Sequence, residues 1–205
     1  MVFTRRLLAR SAGRYADAGW PVIPGAWWDG TRYRCAAPAC HVSGLHPAGD
    51  RDTPHPPAPT GTTTRPGARS AWAAHRHTLL LATGGPVAVV ETPAVTGRRV
   101  LAALHRAGVV VPAAVLPTGR WLLLTTPPPD SPTPDLPGGV AGVVWHGPGS
   151  YIPLPPSTLA RGPVRWVHAP WVTDWALPDT QAVLDALTPR QRRVPRRTPA
   201  SIHWT

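Results

Sequence analysis

Glu91 is the only glutamate in the chain, and it ends an apolar run, Ala88-Val89-Val90-Glu91, that reads as a buried strand. A lone carboxylate at a strand end can ligate a metal or move a proton. It can also be a strand-end acid satisfied by nearby backbone. A second group lies in RCAAPACHVSGLHP, where Cys35, Cys40 and His46 form a Cys-x4-Cys-x5-His run. Thiolate and imidazole suit zinc, and so compact a run can wrap one ion as a structural site. His41 is a further ligand candidate, although its place next to Cys40 strains a shared site, and His55 or His75 could fold in instead. The bland alternative is two ordinary buried thiols and a surface histidine. Arg120, in the turn Thr118-Gly119-Arg120, and His146, before Gly147-Pro148-Gly149, are candidates for holding a nucleotide or nucleic acid. Both read first as turn residues.

The elements that must carry these groups follow from periodicity. Residues 78–82 and 86–91 are two apolar, β-branched runs around Thr83-Gly84-Gly85 and read as a hairpin. A helix follows, capped by Thr96, with Val100, Leu101, Leu104 and Val109 on its apolar face and Gly108 as its stop. Upstream, residues 4–18 predict a helix ended by Gly19, residues 20–24 an extended segment, and residues 27–30 a turn. Residues 69–77 predict a short helix with Trp72 inward. Downstream, residues 109–116 read as an interrupted strand and residues 121–125 as a clear one. Residues 140–145 and 150–154 read as a second hairpin, residues 164–167 as a last strand, and residues 180–187 as a helix capped by Asp179. Strands outnumber helices and mostly follow one another, so the class is α+β with a mainly antiparallel sheet and flanking helices.

Composition limits the chemistry. The 205 residues suffice for one core, here assigned to residues 1–189, with residues 190–205 as a disordered basic tail carrying Arg190, Arg192, Arg193, Arg196 and Arg197. The formal charge is +11, and every positive side chain is arginine, since the chain has no lysine. Arginine-only usage with 29 prolines matches the codon bias of a high-GC genome, so the charge is either a solvated surface or a patch for the phosphates of DNA or RNA. Only 10 acidic residues are present, which leaves few candidates for a carboxylate-built metal site. Two cysteines make no disulfide framework. No apolar run approaches the roughly 20 residues of a membrane span, and no signal region follows Arg5-Arg6, which predicts a cytoplasmic protein without membrane contact. Of the ten tryptophans, Trp20, Trp72, Trp121 and Trp166 sit in core-like patterns, whereas Trp27, Trp28 and Trp145 are better placed to stack on bases.

The order YADAGWPVIPG, CAAPACHVSGLHP, LLLATGGPVAVVETPA, GSYIPLPPS and GPVRWVHAP resembles the bifunctional DNA primase/polymerase N-terminal domains of the archaeo-eukaryotic primase superfamily, in their actinobacterial branch. The resemblance covers roughly residues 10–170. It implies an RRM-like primase-polymerase fold, a role in DNA replication, and nucleotide transfer with two divalent ions, magnesium or manganese, on strand-borne acids. It also implies an additional cysteine two residues before Cys35, where this chain has Tyr33.

The acidic motif departs from that pattern. Where active members carry Asp-x-Asp, this chain has Ala88 in place of an acid and retains only Glu91. A motif histidine is missing near Arg120, and the stretch Val143-Val144-Trp145-His146 holds no acid. Asp50-Arg51-Asp52 has the spelling alone, in a polar loop. Two metals about 4 Å apart cannot be clamped by one carboxylate. The sequence therefore points to a catalytically degenerate primase/polymerase-like domain that binds nucleic acid or a nucleotide. The alternatives are an active template-dependent nucleotidyltransferase with other metal ligands, or a scaffold that keeps only the fold.

Overall fold

The computed structural model describes residues 2–37, 40–48, 61–73, 76–129, 133–136 and 140–188. Asp50 to Asp52, His55, His75 and the arginine tail lie outside the described residues. In chain order the elements are α1 (Val2–Asp17), β1 (Val22–Gly25), β2 (Trp27–Trp28), β3 (Tyr33–Arg34), α2 (Arg65–Ala71), β4 (Thr78–Ala82), β5 (Ala88–Thr92), α3 (Ala94–Arg106), β6 (Ala113–Val115) and β7 (Trp121–Thr125). There follow β8 (Val144–His146), β9 (Tyr151–Pro153), β10 (Thr158–Leu159), β11 (Gly162–Pro163), β12 (Arg165–His168) and α4 (Thr180–Leu187). The α+β class with mainly antiparallel sheets holds.

A five-stranded sheet, β12-β6-β7-β5-β8, and a three-stranded sheet, β1-β4-β9, are antiparallel throughout. Alternation along β5 and β7 divides the core. Val90 and Leu123 pack with Val100, Leu101 and Leu104 of α3 and Val183, Leu184 and Leu187 of α4. Val89, Leu122 and Leu124 point the other way, onto Leu8, Ala12 and Tyr15 of α1 and Leu79 and Leu81 of β4. The five-stranded sheet therefore has helices on one face and the main core on the other.

Neither expected hairpin forms. β4 is buried at every residue and has β1 and β9 on its two edges, so it cannot also pair with β5, whose neighbours are β7 and β8. The glycine-bearing turns around residues 83–87 and 147–150 instead pass the chain from one sheet to the other. They travel side by side: Thr83 N donates to the Ser150 carbonyl at 3.0 Å and its hydroxyl donates to the Gly147 carbonyl at 2.7 Å. Gly84 has φ +95°, and a Cβ there would run into the Pro148 backbone, which is why glycine holds this crossing.

Local expectations shift by a few residues. The turn expected at residues 27–30 begins with paired strand, Trp27 and Trp28 lying against Arg34 and Tyr33. The helix expected at residues 69–77 starts earlier, because its cap is Thr64, whose hydroxyl accepts from Gly67 N at 3.3 Å, and it ends at Ala71. Trp72 is nevertheless fully buried, its Nε1–H donating to the His77 carbonyl at 2.9 Å. The helix after Glu91 starts at Ala94 with Pro93 as its cap rather than at Thr96. Residues 109–111 stay outside the strand β6. No described helix is long and apolar enough to cross a membrane.

Candidate functional site

Register brings three of the singled-out side chains together. Glu91 lies opposite Leu122 of β7 and Val144 of β8, and His146 lies opposite Val89, two residues earlier on the same face of β5. Arg120 precedes β7 by one residue and so shares the parity of Leu122. All three therefore face away from α3 and α4. The Glu91 carboxylate accepts from Arg120 Nε through one oxygen and from His146 Nε2 at 2.8 Å through the other. Arg120 also donates from Nη2 to the Gly142 carbonyl at 2.7 Å. A carboxylate only accepts, so His146 carries its proton on Nε2 and turns Nδ1 to the Ser150 hydroxyl at 2.9 Å.

Burial pushes the Glu91 carboxyl up, but the hydrogen bonds from His146 and Arg120 and their charges outweigh it and hold the group below its ordinary value of 4.5. The consequence for stability has a definite sign. A folded-state value below the unfolded one contributes stability that is present above pH 4.5 and is lost as pH falls through the folded value. Glu91→Gln is expected to cost about 1–2 kcal/mol at neutral pH, the lower part of the range for bonds to charged groups, because the cluster is only partly buried. In denaturant titrations across acid pH the difference between wild type and this variant should shrink as pH falls. Parallel curves would contradict the assignment.

Ser150 and the Gly142 carbonyl are members of this cluster that sequence reading does not single out. A serine four residues after His146, across a Gly-Pro-Gly turn, was the available signal. The residue sharing the Glu91 face two positions earlier is Val89, fully buried, whereas Ala88 faces the helices.

The second group forms in the loop after β3. The donor atoms of Cys35, Cys40 and His46 lie within 4.8 Å of one another and could hold a metal ion. The loop is fastened on the outer side of the three-stranded sheet. Leu45 packs against Ile23 and Leu80, Ala26 N donates to the His46 carbonyl at 2.8 Å, and Ala48 N donates to the Pro24 carbonyl at 2.7 Å. His46 Nδ1 donates to the Gly44 carbonyl at 2.8 Å, leaving the Nε2 lone pair toward Cys40 Sγ, 3.3 Å away. A backbone carbonyl that fixes the distal ring N–H is the usual support of a metal-ligating histidine. The donor set fits three of the four corners of a tetrahedral site of soft ligands. His41 is exposed and outside this trio. Tyr33 turns away from it: its hydroxyl accepts from Ala160 N at 3.2 Å.

Of the tryptophans read as core, Trp20 and Trp72 are buried, while Trp121 and Trp166 are half-buried. Trp28 leans edge-on against Tyr33, 5.3 Å between ring centres, beside the cysteine loop. Trp145 packs on the helix face of the large sheet.

No curated protein matches the chain. The family model for the bifunctional DNA primase/polymerase N-terminal domain matches residues 12–187, a span that holds both clusters and every element from within α1 to the end of α4. The chain belongs to that family of primase/polymerase domains.

Proposed function

We propose that this chain is a catalytically degenerate primase/polymerase domain that binds nucleic acid, with a structural zinc in the loop of Cys35, Cys40 and His46. One observation carries the loss of catalysis. Glu91 is the only glutamate, and both of its carboxylate oxygens are engaged by Arg120 and His146. A pair of divalent ions needs carboxylate oxygens free to bridge them and no guanidinium in contact. The residues at this place do not fit magnesium or manganese. Arg120 then serves as the counter-charge of Glu91 and His146 as its hydrogen-bond donor. The domain comprises residues 1–189, and residues 190–205 act as a basic tail.

The charge of +11 supports nucleic acid as the partner. Binding with little sequence preference is expected at low salt. The five arginines from Arg190 to Arg197 contribute up to about 3.5 to the log–log salt slope on single strands, at roughly 0.7 per phosphate contact. A salt series on single- and double-stranded DNA, with the full chain and a chain lacking residues 190–205, tests this. A flatter slope after truncation supports the reading. Undetectable binding at low salt would move the assignment to a scaffold without nucleic-acid affinity.

A further inference from the structure

The helix face of the five-stranded sheet carries a second surface suited to an anionic ligand. Arg98, Leu101, Ala102 and His105 repeat at helical spacing along one side of α3, and with Arg106, Trp121, Val167 and His168 they line a groove of about 470 Å³. No acidic side chain lines it. Its cations are not used internally. Arg34 pairs with Asp29, Arg65 with Asp17 and Arg120 with Glu91, and Arg14 stacks over Trp171. Among the described residues, Arg98, His105 and Arg106 have no such partner and are exposed. From Arg98 to His105 the groove runs about 10 Å along the helix. His168 donates from Nδ1 to the Val111 carbonyl at 3.3 Å, which leaves its Nε2 toward the open side.

The floor is aromatic. Gly97 allows α3 to sit directly on Trp121, since a Cβ there would come within 2.8 Å of the Trp121 Cβ. The indole is thus held by the helix, yet it remains half-buried and contributes to the groove wall. Unpaired guanidinium groups around an anchored indole form the arrangement that stacks a base and neutralises its phosphates. A duplex hides its base faces and offers the indole nothing to stack on. A polar protein segment would not account for the absence of acid partners around a tryptophan floor.

We propose that this groove is a binding site for single-stranded nucleic acid, on the face of the sheet opposite to Glu91. The inference rests on the nucleic-acid-binding reading above and adds a location and a strand preference to it. The probe is a fluorescently labelled oligo-dT, followed by anisotropy with the full-length protein.

The double variant Arg98→Ala/Arg106→Ala, both exposed, is expected to bind at least 10-fold more weakly and to lower the salt slope by about 1.4, at roughly 0.7 per arginine. Trp121→Leu should weaken binding roughly 5- to 150-fold with an unchanged slope, and Trp121→Phe should largely restore it. Unlabelled duplex of equal length should compete poorly, and free dTTP more poorly still. If the double variant binds oligo-dT with wild-type affinity and slope, or if duplex competes as well as single strand, the groove assignment is overturned while nucleic-acid binding stands. If the wild-type protein binds no DNA at low salt, the functional reading falls and this site falls with it.

Discussion

Cys35→Ser, Cys40→Ser, or removal of metal by a chelator is expected to lower the melting temperature by about 8–16 °C. A metal that binds only the folded state stabilises it by RT ln(1 + [L]/Kd), about 4 kcal/mol at a thousandfold excess over Kd. For a chain of 205 residues, each kcal/mol moves the midpoint by roughly 2–4 °C. Beyond its anchor at Leu45, His46 and Ala48, the loop has little else to hold it. Ala37 is buried and Leu45 partly so, but Cys35 and Cys40 are both half-exposed and His41 and Val42 are exposed. Loss of one donor thus removes much of what ties Cys35 and Cys40 to the anchored His46. The two serine variants should match each other and the chelated wild type, and purified protein should carry close to one zinc per chain by elemental analysis. Well under one zinc per chain, together with a melting temperature indifferent to chelator, would contradict the metal centre.

That loop was legible in the sequence because its three donor side chains lie within twelve residues, so local spacing already constrains them. The other cluster was legible only as separate candidates. Glu91, Arg120 and His146 meet through the pairing of β5 with β7 and β8, up to 55 positions apart in the chain. Register across such distances leaves no local trace. The same reason explains the hairpins. β4 and β5 are continuous apolar runs joined by a glycine turn, and such runs look alike whether they pair with each other or enter different sheets. Their mates, β9 and β8, are equally anonymous. Elements set by short-range chemistry fared better. β7 follows Gly119, whose φ is +83°, and runs Trp121–Thr125 as read, and α4 occupies Thr180–Leu187 as read, although the Asp179 carboxylate before it accepts from the Thr126 hydroxyl instead of capping the helix. Ser150 carries only a weak local signal, its spacing from His146 across Gly147-Pro148-Gly149, which an ordinary turn serine would share.

The loss of catalysis is the central claim, and it predicts the largest effect on activity. On the face that Glu91 shares, the position two residues earlier is the fully buried Val89 and the position across β8 is Val144. Neither can ligate a cation, and Arg120 already occupies one Glu91 oxygen. Ala88→Asp is expected not to restore activity, because Ala88 points to the helix side of the sheet and an acid there would be buried away from Glu91. The most direct measurement is template-directed extension, with and without a primer, using magnesium or manganese, on the wild type, Glu91→Ala and Ala88→Asp in parallel. No product above the protein-free control is expected in any of the three. Templated incorporation by the wild type that disappears in Glu91→Ala would contradict it.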